Sequence, residues 1–265
     1  MQALINGISL AYDDTGSGPA VILLHGFPLC RQMWRPQIRS LTGAGYRLIL
    51  PDLRGFGESD APEGPYSMEQ FADDIVALMD HLEIDRAVVG GMSMGGYVLF
   101  NLVERYRQRL SAACFLVTRA TADDEDGKAR RLRLAREVRE MGPQAVADAF
   151  EAILFAPASL TERPKLVAEV FSWMTSTDSR GLAGGLLAMR ERKDYTPLMG
   201  DFSVPALAIG ALEDRTISPD QVRAIAAGIP GCSLCLIPEA GHMVNLEYPG
   251  AFTDCLLDFL RTLEL

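Results

Sequence analysis

A chain of 265 residues has room for one large domain or two small ones, and its 48% hydrophobic and 23% charged residues are those of a globular protein. A formal net charge of −10 argues against nucleic acid or an anionic membrane as partner, and no apolar run approaches the roughly 18 residues a bilayer span needs. The opening MQALINGISLAYDDTGSGP has no basic stretch followed by an apolar core, so no signal peptide is expected and a cytoplasmic enzyme or binding protein is favoured.

Residues 2–12 read as a short antiparallel hairpin turning near Asn6-Gly7. Short apolar runs then recur: AVILLHG (20–26), RLILPD (47–52), AVVGG (87–91), AACFLVT (112–118), PALAIGA (205–211) and SLCLIP (233–238). Continuous runs of this length suit strands buried on both faces of a parallel sheet. Helical spacing falls between them, over 31–43, 68–82, 95–107, 218–228 and 248–263. The alternation predicts an α/β fold built on a mostly parallel, doubly wound sheet.

The rhythm breaks once. Over 120–195 helices are expected at 124–141, 143–154, 162–176 and 178–191, with no strand among them. The expected organisation is a core of residues 1–119 and 196–265, with 120–195 inserted as a helical cap. An insertion there can cover the carboxyl edge of the sheet, where such sheets bind ligands. The basic segment Lys128–Arg139 follows the acidic cluster Asp123, Asp124, Glu125 and Asp126. Acid first and base later is the polarity a helix dipole favours, so this reads as a solvated helix. Five scattered cysteines make no disulfide scaffold, and Cys232 and Cys235 are expected as two buried or half-buried thiols beside a strand.

Four glycines surround one serine in GGMSMGG, residues 90–96. The pattern Gly91-Met92-Ser93-Met94-Gly95 follows the apolar strand AVVGG and precedes GGYVLFNLVERY, which has helical spacing. Strand, sharp turn and helix together are the setting of a nucleophile elbow. Glycines at 91, 95 and 96 would let strand and helix approach around a strained Ser93. A serine needs a base, and the chain has three histidines. His81 lies mid-helix and reads as a surface or cap residue. His25 ends a strand and reads as a structural brace. His242, in the loop after the last strand, is the candidate base. Its orienting carboxylate is expected from ALEDRTISP, with Asp214 first and Glu213 as the fallback; Asp123 or Asp124 is more distant. The order Ser93, Asp214, His242 is that of α/β-hydrolases. The backbone amides of Phe27 and Met94 are the candidate oxyanion donors.

At this point the sequence resembles the α/β-hydrolase superfamily over essentially its whole length. The residues that carry the likeness are HGFP (25–28), DLRGFGES (52–59), GGMSMGG (90–96), EDRTISP (213–219) and AGHMVNLEYP (240–249). Within it, the chain is similar to small bacterial carboxylesterases and enol-lactonase-like hydrolases. The resemblance implies an acyl-enzyme on Ser93, no cofactor or metal, and a structural role for Asp52 and Arg54 in holding their loop. A serine at 93 disfavours the dehalogenases and epoxide hydrolases, which use aspartate there. The expected partner is a small ester or lactone, and the expected state a monomer or homodimer. A cofactor-free perhydrolase or haloperoxidase-type activity, a C–C bond hydrolase and a non-catalytic binding relative are the alternatives. Met92, Trp34 or its neighbour Met33, and Trp173 are candidate pocket residues, with Phe155 and Met174 possible beside Trp173 in the cap. Arg119, just past the strand 112–118, is a candidate partner for a substrate carboxylate.

Overall fold

The computed structural model describes residues 1–265. Eight strands form one sheet: β1 (Gln2–Ile5), β2 (Ile8–Thr15), β3 (Ala20–Leu24), β4 (Arg47–Pro51), β5 (Ala87–Met92), β6 (Leu110–Leu116), β7 (Ala206–Ala211) and β8 (Ser233–Ile237). Their spatial order is β1-β2-β4-β3-β5-β6-β7-β8. The β1–β2 and β2–β4 pairs are antiparallel and the other five pairs are parallel. The hairpin turns at Asn6 and Gly7, both at positive φ (46° and 80°), as a tight turn between twisted strands requires.

Eleven helices pack around this sheet. Those of the core are α1 (Arg35–Gly43), α2 (Met68–His81) and α3 (Met94–Tyr106), which precede β6. Between β6 and β7 come α4 (Glu125–Met141), α5 (Gln144–Leu154), α6 (Pro157–Glu162), α7 (Pro164–Ser176) and α8 (Ser179–Arg190). The chain ends through α9 (Pro219–Gly228), α10 (Val244–Glu247) and α11 (Pro249–Leu260). Local chemistry sets several starts. Ser67 accepts from the Gln70 amide at 3.1 Å before α2, and Asp124 accepts from the Gly127 amide at 2.7 Å before α4. Pro249 opens α11, which takes the place of the helix expected over 248–263, and the short α10 before it was not expected.

Alternate strand residues feed two cores. Ile22, Leu24, Ile49 and Val89 join the side chains of α2, α3 and α9 on one face. Val21, Leu23, Leu48, Leu50 and Val88 join those of α1 and α11 on the other. Each fully buried side chain of this size stabilises the fold by about 1.5–3 kcal/mol, which is why the centres of these strands are apolar.

One cysteine expectation is overturned. Cys235 on β8 is bonded to Cys255 on α11, with Cα atoms 6.4 Å apart, while Cys232 is a half-buried free thiol.

The sheet changes direction of growth at β3. From β3 the chain passes to β4 on one side, then returns to place β5 on the other. That is a topological switch point, and the crevice outside its carboxyl ends is where open α/β sheets bind ligands. Two loops emerge there, residues 25–27 after β3 and Ser93 after β5.

Candidate active site

Ser93 has φ 53° and ψ −110°, a conformation that costs on the order of 1–3 kcal/mol outside glycine. Four hydrogen bonds hold it there, one of them from the Tyr97 amide to its carbonyl at 3.3 Å. Its amide donates to Leu116 O at 3.0 Å, and its carbonyl accepts from Gly96 N at 3.0 Å and Thr118 Oγ1 at 2.8 Å. The glycines answer to close approach. A β-carbon at Gly91 would lie 2.2 Å from Gly95 O, and one at Gly95 would lie 2.6 Å from Leu24 O and 2.8 Å from His25 O. These are backbone atoms and cannot give way. Gly95→Ala is therefore expected to destabilise the protein by roughly 1–3 kcal/mol. The check is a urea titration, where the midpoint should fall with little change in m.

The loop after β3 lies against this elbow. A β-carbon at Gly26 would sit 3.3 Å from Ser93 Cβ. The amides of Phe27 and Met94 have no acceptor within the protein, which leaves two donors free beside the serine. His25 braces the loop, as its sequence position suggests. It is fully buried, Nδ1 donates to Gly26 O at 2.9 Å and Nε2 accepts from the Leu53 amide at 2.9 Å. Burial lowers its pKa and keeps it neutral, the form those two bonds require. Asp52 holds the next loop by accepting from the amides of Arg31 (2.7 Å) and Glu58 (2.9 Å). Arg54 makes a buried two-pronged pair with Asp74 at 2.7 and 2.8 Å.

Asp214 and His242, from the loops after β7 and β8, meet at 2.7 Å through Oδ2 and Nδ1. The other carboxylate oxygen accepts from the amides of Thr216 (2.7 Å) and Ile217 (2.9 Å). Both side chains are buried. With Nδ1 donating to Asp214, the lone pair of the neutral ring lies on Nε2. The fallback carboxylates lie elsewhere: Glu213 is exposed, Asp124 caps α4, and Asp123 is gripped by arginines.

A cavity of about 60 Å³ lies at the serine. Ser93, Phe27 and Tyr97 line it from the core, and Arg131, Phe150 and Met189 from the helices between β6 and β7. Arg119, Thr216 and Ile217 complete the wall. Beside it, sharing Arg119, Arg131, Phe150 and Thr216, is a cavity of about 440 Å³ that adds Arg130 and Arg215. The one acid in that second lining is Asp123, which pairs with Arg119, Arg131 and, at 2.7 Å, Arg192. Burial alone would raise the Asp123 pKa, but hydrogen bonds from Arg192 and Arg131 outweigh it and hold the carboxyl well below the usual range. Four arginines against one aspartate make this mouth positive in a chain of net charge −10.

Of the expected pocket residues, Arg119 lines the cavity and three do not. Met92 is fully buried at the end of β5. Trp34 is also fully buried, 6.0 Å from the Phe252 ring and on the side of the sheet covered by α11. Trp173 belongs to that same apolar cluster, as do Met33, Phe155 and Met174. Each was a large apolar side chain near the site in sequence, and burial in the core claimed it instead. Tyr97, Arg131, Phe150 and Met189 take their place. Tyr97 was within reach of sequence reasoning, since it stands one helical turn after Ser93. The solvated-helix reading of 128–139 holds for exposed Arg130, Arg133, Arg136 and Arg139, but Arg131 turns inward to Asp123.

The alpha/beta hydrolase fold family model matches residues 19–249. A thermophilic esterase from Thermogutta terrifontis superposes with a TM-score of 0.95 at 36% identity, covering 99% of this chain and 98% of that one. The enol-lactonase from Burkholderia xenovorans LB400 gives a TM-score of 0.92 at 32% identity, covering 98% and 100%. The sequence is also 29% identical to 3-oxoadipate enol-lactonase 2 of Acinetobacter baylyi over 255 residues, 94% of this chain and 92% of that protein. A serine on a strained turn at a switch point, a buried Asp–His pair two loops away and a family match over most of its length make this chain a member of the α/β-hydrolase superfamily.

Proposed function

We propose that this protein hydrolyses a small carboxylic ester or lactone bearing an anionic group, through an acyl-enzyme on Ser93. The observation that carries the reading is the pair of free amides, Phe27 and Met94, beside a serine held in a strained turn. Amides left without partners in a closed site suit an oxygen that becomes negative only as the carbonyl is attacked. His242 Nε2 takes the Ser93 proton, and Asp214 holds the ring in that tautomer and stabilises the imidazolium. The same imidazolium protonates the departing alkoxide; water, deprotonated in its turn by His242, then releases the acid. For a lactone the leaving alkoxide stays tethered to the acyl group, so one product leaves instead of two. The esterase and enol-lactonase relatives favour this chemistry.

The anionic preference follows from the arginine-lined mouth. Arg119 lines both cavities, where a guanidinium already held by Asp123 is placed to meet a substrate carboxylate. The reading is tested by comparing enol lactones and half-esters of dicarboxylic acids with neutral esters of equal length. Higher kcat/KM for the anions supports it; preference for the neutral esters would overturn the anionic part. Arg119→Ala should raise KM for the anionic esters about tenfold, the loss of one charge-assisted hydrogen bond, and leave neutral esters nearly unchanged.

A further inference from the structure

A second buried carboxylate stands near the candidate triad, and the chemistry above does not use it. Glu247, at the end of α10, is 1% exposed. One oxygen accepts from the Gly241 amide at 3.0 Å and the other from the Ala156 amide at 2.9 Å. Gly241 immediately precedes His242. Ala156 belongs to the extended stretch between α5 and α6.

The last turn of α5, just before it, touches the histidine loop again and reaches the aspartate loop as well. The Met243 amide donates to Leu154 O at 3.0 Å, so both neighbours of His242 are tied to 154–156. On the other side, Thr216 Oγ1 donates to Ile153 O at 3.2 Å and the Arg215 guanidinium donates to Ala152 O. Residues 215 and 216 directly follow Asp214. The approach is close enough that a β-carbon at Gly241 would lie 2.2 Å from Ala156 N. From outside, Arg163 donates to the Glu247 carbonyl and stacks on the Tyr248 ring.

We infer that Glu247 is a positioning residue that clamps the 152–156 stretch to the histidine loop, so that the last turn of α5 and the two residues after it set His242 against Asp214. A carboxylate is suited to this because its two oxygens accept from two amides that cannot reach each other. The arrangement is costly, since burial pushes the Glu247 pKa up even against the Ser159 hydroxyl, the two amides and Arg163. A neutral side chain of the same length could not reproduce it. In glutamine one terminal atom is a donor, and it would face an amide donor.

The test is Glu247→Gln, read three ways; its kinetic arm rests on the hydrolase reading and its spectroscopic arm does not. Misalignment of the base is expected to lower kcat by roughly 10–100-fold with KM nearly unchanged. A far-downfield proton resonance of His242 Nδ1 is expected in the wild type from its 2.7 Å bond to Asp214 and should shift or broaden in the variant. Thermal unfolding is followed alongside. Wild-type kcat and an unmoved resonance with only a lowered Tm would reduce Glu247 to a structural staple and overturn the inference. Arg163→Met loosens the same clamp from the surface and keeps the question open to test if Glu247→Gln does not fold; it should give a smaller kcat loss in the same direction. If neither wild type nor variants hydrolyse any ester, the resonance still decides the clamp, and the hydrolase reading alone fails.

Discussion

Ser93→Ala is expected to lower kcat by roughly 10⁴–10⁶-fold while the protein stays folded. The loss is large because the side chain is the proposed nucleophile, and the wall beside the free amides holds no thiol and only two other hydroxyls, the weakly nucleophilic Tyr97 phenol and Thr216, which is spent on Ile153 O. The fold should persist because the strained turn is held by backbone and by Thr118, not by the serine hydroxyl. Residual catalysis should remain above that in water, since the amides of Phe27 and Met94 and the binding surface survive. The measurement is steady-state hydrolysis of p-nitrophenyl esters by both proteins, with circular dichroism as the folding control. Undiminished turnover in the variant would remove Ser93 from the chemistry.

Asp214→Asn should cost about 10⁴-fold in kcat, nearly as much, by a different route. Asparagine can keep one oxygen under the amides of Thr216 and Ile217, which sit 2.7 and 2.9 Å from the native Oδ1. Its NH₂ then faces His242 Nδ1 and can only donate. The ring must accept there, so its proton moves to Nε2, the nitrogen that should receive the proton of Ser93. Stability should change little, because shape and amide contacts are preserved. A pre-steady-state acylation experiment separates this from a folding defect: the acylation step itself should be slowed. Acylation at the wild-type rate would mean that another group orients the histidine.

The parts of this site legible in the sequence are those whose geometry is local. Strand, glycine-flanked serine and helix are contiguous between residues 87 and 106, so hydrophobic period and glycine spacing define the elbow without tertiary information. His242 and Asp214 were legible for a related reason, since each follows a short apolar strand whose carboxyl end must lie at the same edge. What was not legible is which side chains of 125–190 look down on the serine. That depends on how α4, α5 and α8 pack on one another, and a helix pattern gives its apolar face but not its partner. Arg131 was lost in a basic run for this reason. Trp34 failed for the opposite one, because hydrophobicity says that a side chain is buried without saying on which side of the sheet. The cysteines show a third limit. Cys232 and Cys235 are near in sequence, yet extended residues three apart point to opposite faces, and Cys235 met Cys255 from a helix packed against its own face.

The pairing of β3 with β5 has a consequence for how such a site can change its substrate. Leu24 and Gly91 are partners in that ladder, and a few residues beyond each come the amides of Phe27 and Met94. The separation between the two donors is thus measured by a ruler of sheet geometry, about 4.8 Å from strand to strand. It does not depend on the length or sequence of the helices above. Those helices supply Arg131, Phe150 and Met189 to the cavity and nothing to the ruler. On the proposed reading, the part of the wall that these helices supply can change while the spacing of the two amides is left untouched.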